Sequence, residues 1–246
     1  PNAGGRPTNL EGKGMGSETG AARGWLEALR VYRRPRVISM VFLGFSAGLP
    51  FLLVFSTLSA WLRDEGTSRT LIGFFSWVGI TYSIKVFWAP VIDRLPLPLL
   101  TRRLGKRRSW MLLAQVGIAV GLSGMALADP TTDLAPIAVL AVLVAFGSAT
   151  QDITVDAYRI EAAAADLQGA MAAAYVFGYR VALLVAGAGA FYLAELWSWS
   201  FAYFAMAALM GVGMLTTLII AEPRHEVNGA TRDLENRLET TLGVAG

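Results

Sequence analysis

The sequence contains no cysteine and a single histidine, His225, among its 246 residues. The first absence excludes a disulfide framework and any thiolate metal site. The second excludes histidine-based triads and histidine metal clusters. No metal site is expected, and an enzyme built from this chain would have to work with carboxylates, Lys, Ser or Tyr alone. Charge is also scarce. Only 16% of residues are charged and 54% are hydrophobic, whereas a soluble domain carries about 25% charged residues. The chain lacks the polar shell of a soluble globule, and its composition is that of a helical integral membrane protein. The net charge of +3 is explained by Lys and Arg gathering on one side of a bilayer. No basic stretch is interleaved with aromatics, so nucleic acid is not an expected partner.

What is present is a series of long apolar runs. Six of them cover about residues 37–62, 70–92, 109–128, 134–157, 169–196 and 200–221. Each reaches the ~20 residues that a tilted helix needs to cross the hydrocarbon. Spanning strands would be shorter and would alternate in polarity. The expected fold is all-α and integral to the membrane, with six transmembrane helices over residues 37–221. Residues 1–36 read as a Gly-rich, disordered and basic cytoplasmic tail, with an interfacial helix possible over 25–32. Residues 222–246 read as a polar cytoplasmic linker or tail, with Leu234, Leu238 and Leu242 at helical spacing. With both termini inside, the inner segments hold seventeen Lys and Arg and the outer loops hold only Arg63 and Arg69. That bias predicts an N-in, C-in orientation. Five tryptophans, Trp61, Trp88, Trp110, Trp197 and Trp199, fall at predicted interfaces.

Charged and amide side chains interrupt the apolar runs. Residues 145–159 read AFGSATQDITVDAYR and place Gln151, Asp152 and Asp156 in the last turns of the fourth run. A carboxylate within a span costs about 2.5–3.5 kcal/mol on insertion scales. Such a group is kept to bind or carry something, or because a partner offsets the cost. Asp152 and Asp156 are four apart and share a helix face. One reading makes them proton-coupling carboxylates that titrate as solvent access changes; the other makes them a structural charge pair. Lys85 lies in the second run at a depth like that of Asp152, where it either pairs with Asp152 or snorkels to headgroups. Arg180 is near the middle of the fifth run, too deep to snorkel, and its guanidinium fork suits an anionic substrate or a carboxylate partner. Gly48, with Gly44 and Pro50 in LGFSAGLP, reads either as close helix packing or as a kinked, cavity-lining break. Asp93 and Arg94, followed by Arg107 and Arg108, form a loop cluster that reads as topology alone or as a gate latch between helices. Two rival classes remain. One is a membrane enzyme acting on a lipid-linked sugar through Asp152 and Asp156. The other is a non-transporting subunit in which Lys85, Asp152 and Arg180 close into a triad.

Asp93–Arg94 with Gly105, Lys106, Arg107 and Arg108 resembles the loop signature of the major facilitator superfamily, with Ala89 where that signature has Gly. The motifs LGFSAGLP, GFFSWVGITYSIKVFWAPVIDR, SATQDITVDAY and GYR, in this order over residues 35–223, resemble AmpG-type muropeptide permeases. The resemblance implies a bacterial inner-membrane carrier that imports N-acetylglucosamine–anhydro-N-acetylmuramyl peptides by proton symport for cell-wall recycling. No cofactor is implied beyond the proton gradient. The same family includes acetyl-coenzyme A carriers, so another anionic solute is the alternative. The resemblance places Gln151 and Asp152 in the substrate and proton region, and puts Lys85 and Arg180 at matching charged positions. Such carriers have twelve helices in two halves. The expected partners are therefore the bilayer, the solute, and a missing C-terminal six-helix half or a second copy.

Overall fold

A computed structural model describes residues 30–162 and 165–223. The expectations for residues 1–24, for nearly all of the 25–32 segment and for the tail beyond Pro223 lie outside the described residues. Among the described residues the secondary structure is helical throughout. Six helical stretches are long and apolar enough to cross a membrane: Pro35–Asp64, Arg69–Phe87, Lys106–Leu127, Ala135–Ala162, Asp166–Leu196 and Trp199–Ile219. We refer to them as the first to sixth spans. Most of their ends fall within three residues of the apolar runs. The exceptions are the ends of the second span, which a short helix Ala89–Arg94 prolongs, and of the fourth.

The fourth span runs five residues past its apolar stretch, to Ala162. Its last turn is polar but satisfied: the Gln168 amide donates to the carbonyls of Arg159 at 3.0 Å and Ile160 at 3.2 Å. Other ends are closed by short-range chemistry. The hydroxyl of Ser68 accepts from the Leu71 N–H, and that of Ser198 from the Phe201 N–H, as N-caps do. The third span is capped from a distance. The Glu222 carboxylate accepts from the N–H groups of Arg107 at 2.7 Å and Arg108 at 3.1 Å, two of the donors that a helix start leaves free. Gly105, just before that start, has φ +90, and a Cβ there would run into the Glu222 side chain. Both facts require glycine. On the opposite end of the bundle, the Thr131 hydroxyl and N–H donate to Asp129 at 2.7 and 2.9 Å. They hold its carboxyl below the usual range.

The spans are not equally regular. The third and sixth are unbroken helices. The first continues through Pro50 and breaks instead at Phe55, whose φ is −113 and ψ −93. The second alternates between α and 3-10 turns, with 3-10 segments at Ser76–Gly79 and Ile84–Phe87. The fifth contains a π-helical turn at Val185–Gly189. The Thr57 hydroxyl of the first span donates to the Ala186 carbonyl in that turn at 3.0 Å.

The first and fifth spans approach most closely through small residues. A Cβ on Gly44 would meet the Tyr175 backbone, one on Gly178 the Val41 backbone, and one on Gly48 the backbone of Tyr179 and the Ala182 methyl. Ala182, Ala186 and Ala190 are fully buried. Of the two readings for Gly48, the structure shows packing, as small-residue helix contacts in membranes do.

Two apolar clusters fill the bundle. One includes Val37, Met40, Leu43, Met111, Val155 and Tyr158. The other includes Leu49, Leu53, Ile118, Leu122, Ala145 and Met210. On four of the spans, buried polar residues lie between them. Ser46, Gln115, Gln151 and Thr217 come from the first, third, fourth and sixth spans and are all fully buried. The Gln151 amide donates to the Ser46 hydroxyl at 2.8 Å, and the Thr217 hydroxyl donates to the Gln115 carbonyl at 3.0 Å. A buried polar layer thus crosses the bundle between two apolar ones.

Candidate functional site

The helix geometry of residues 151 and 152 separates their roles. Adjacent residues are about 100° apart around a helix axis. Gln151 turns into the polar layer, and Asp152 turns toward the second and fifth spans. Expected as a substrate contact, Gln151 has no exposed surface and is bonded to Ser46, so in this conformation it braces the helices rather than facing a ligand. Asp152 keeps 22% of its side chain exposed. It lies ten residues before the end of the fourth span, about 15 Å along the axis.

Lys85 meets Asp152, with Nζ 3.8 Å from Oδ2. Pairing, not snorkelling, is the arrangement observed. The Tyr175 hydroxyl of the fifth span donates to the other carboxylate oxygen at 3.4 Å. Both contacts are long for charge-assisted bonds, which run about 2.7–2.9 Å. The carboxylate is thus held loosely by groups from two other spans. Lys85 is 38% exposed, and Tyr175 stacks obliquely on Tyr179 with ring centres 6.2 Å apart. Arg180, next to Tyr179, is exposed and forms no hydrogen bond or ion pair among the described residues. It does not join Asp152, so the closed Lys85–Asp152–Arg180 triad does not form. Asp156 pairs with Arg159 at 3.2 Å on an exposed helix face, with 58% of its side chain open. It shares no hydrogen bond or ion pair with Lys85, Asp152 or Tyr175.

A second charge cluster sits at the basic end of the bundle and is built tightly. Arg107 is buried. Its guanidinium donates through Nη1 to Asp93 Oδ1 at 2.6 Å and through Nη2 to Glu161 Oε1 at 2.5 Å. Its Nε reaches both Glu161 oxygens at 3.0 and 3.1 Å. Lys106 donates to the Asp93 carbonyl at 2.7 Å. Arg108 ties the end of the sixth span, donating to the carbonyls of Thr217 at 2.8 Å and Leu218 at 2.7 Å. Of the four residues expected to form a latch, Asp93 and Arg107 are joined, Arg108 turns instead to the end of the sixth span, and Arg94 is exposed and makes no such bond. Glu161 and Glu222 belong to the cluster and were missed in the sequence. Their signal was faint, since each is a lone carboxylate just beyond an apolar run.

An apolar groove of about 680 Å³ runs between the first and sixth spans, lined by Ile38, Phe42, Val212, Leu215 and Ile219. It holds none of the site carboxylates. Among the described residues no three His, Asp or Glu side chains gather in a metal-binding arrangement.

Six apolar helices bundled around buried polar groups, with an ion pair inside, define a multi-pass membrane protein. Residues 40–244 match the Major Facilitator Superfamily, and the chain belongs to that family. It is 41% identical over 200 residues to the anhydromuropeptide permease of Escherichia coli, an alignment covering 81% of this chain and 40% of that protein. It is 34% identical over 204 residues to putative transporter AmpG 4 of Rickettsia conorii, covering 81% of this chain and 49% of that one. An uncharacterized protein of Haemophilus influenzae is 38% identical over 193 residues, covering 78% and 44%. The chain thus spans less than half the length of these relatives.

Proposed function

We propose that this chain is the N-terminal half of a proton-coupled carrier that imports anhydromuropeptides across a bacterial inner membrane, with both its ends in the cytoplasm. The observation that carries this reading is the loosely held Asp152, which stands 3.8 Å from Lys85 and accepts from the Tyr175 hydroxyl at 3.4 Å. A carboxylate in such a setting exchanges partners at low cost. When protonated it releases Lys85; when ionised it recaptures it. Each proton carried inward gains about 2.3 kcal/mol per 100 mV of membrane potential. Arg180, exposed and unpaired among the described residues, is a substrate contact for an anionic group. Lys85 is the counter-charge that Asp152 and the substrate share. A second six-helix unit completes the cavity, and the Arg107 cluster closes and opens with the rocking of the two halves. The identity to an anhydromuropeptide permease supports this substrate over another anionic solute.

The test is uptake of a radiolabelled anhydromuropeptide by the full-length parent protein in proteoliposomes. Accumulation that a protonophore abolishes supports the reading. Saturable uptake that ignores the proton gradient would overturn the coupling, and no uptake would overturn the substrate.

A further inference from the structure

Beside the ion pair stands a group of aromatic rings that the charge chemistry does not use. Phe51 and Phe55 of the first span and Tyr82 of the second are in mutual contact. Their ring centres are 5.2 Å apart for Phe51–Phe55, 6.1 Å for Phe51–Tyr82 and 5.8 Å for Phe55–Tyr82. Phe55 and Tyr82 are anchored against the larger apolar cluster. The Phe55 ring fits against Gly79, where a Cβ would approach within 3.3 Å. Phe51 is 38% exposed. The result is a firm base that presents one open ring.

The position of this base matters. Tyr82 is three residues before Lys85 and lies on the same side of the second span. Phe51 is three residues after Gly48, which packs on Tyr179, whose ring faces that of Tyr175. The open ring is thus in contact with Tyr82, which lies close enough to Asp152 to feel its charge. A ring face next to a cation and a carboxylate suits a ligand with both an apolar face and polar edges. A pyranose ring is such a ligand: its C–H face complements the electron-rich face of an aromatic ring, and its hydroxyls reach carboxylates and phenols.

We propose that Phe51, supported by Phe55 and Tyr82, is the stacking surface for the sugar rings of the transported glycopeptide, whose peptide carboxylates turn toward Lys85 and Arg180. The inference rests on the transport reading above and adds the orientation of the substrate in the site.

The experiment uses the full-length parent protein in proteoliposomes and two competitors of labelled muropeptide uptake: the anhydro-disaccharide without peptide, and the free peptide without sugar. Phe51→Ala and Phe51→Leu are expected to weaken inhibition by the disaccharide about tenfold, with the peptide changed less than about twofold. Phe51→Trp is expected to retain disaccharide inhibition. If Phe51→Leu binds the disaccharide as the native protein does, the ring is only an apolar wall and the inference fails. If both competitors weaken equally, the residue shapes the cavity as a whole and the inference also fails. Absence of muropeptide uptake by the native protein would instead overturn the transport reading, and this inference with it.

Discussion

The molecule holds two charge clusters of opposite construction. At the basic end, Arg107 is buried and grips Asp93 and Glu161 at 2.5–2.6 Å with its fork filled. In mid-span, Lys85 and Asp152 stand 3.8 Å apart and part-exposed. The first has the geometry of a latch, in which planar, bidentate recognition fixes the relation of three helical segments. The second has the geometry of an exchangeable contact. Stability should follow the tight cluster and coupling should follow the loose one.

That contrast can be broken by substitution. The largest effect on stability is expected from Arg107→Ala, which leaves two carboxylates facing each other without their cation. The cost is about 3–5 kcal/mol, read as a fall in the thermal unfolding midpoint in detergent, and Arg107→Lys should recover less than half of it, since an ammonium cannot fork. Next comes Glu222→Ala, which removes the cap from the third span at about 0.5–2 kcal/mol; the same melting assay checks it, and Glu222→Asp should fall between. Asp152→Asn should change stability by no more than about 1 kcal/mol, because its contacts are long and part-screened. A large loss of folding in that variant would mean that the pair is structural. Smallest is Asp156→Asn, expected to shift stability by about 0–0.5 kcal/mol, since its partner Arg159 is an exposed i,i+3 neighbour.

The spans were readable in the sequence because the hydrocarbon imposes a length that apolar runs must match. Lys85 and Asp152 were placed at one level because both counts start from polar boundaries on helices running the same way. The remainder depended on tertiary packing. Gln151 and Asp152 are neighbours in sequence, and nothing local states which of them turns inward; the fully buried Ser46 on the first span decides it. The fourth span outruns its apolar stretch because Gln168, on the next helix, caps its carbonyls. Glu161 and Glu222 meet the third span across 54 and 115 residues of chain, a distance over which no sequence spacing speaks. Pro50 allowed a kink but did not fix one, and the interruption falls at Phe55, one residue before the helix resumes.

The central claim is that Asp152 carries the coupling proton while contributing little to the fold. Its most direct test is muropeptide-driven proton uptake by the full-length parent protein in proteoliposomes, compared between the native protein, Asp152→Glu and Asp152→Asn. Normal melting is expected in all three, with proton uptake retained in Asp152→Glu and proton movement lost in Asp152→Asn. Native proton uptake in Asp152→Asn would contradict it.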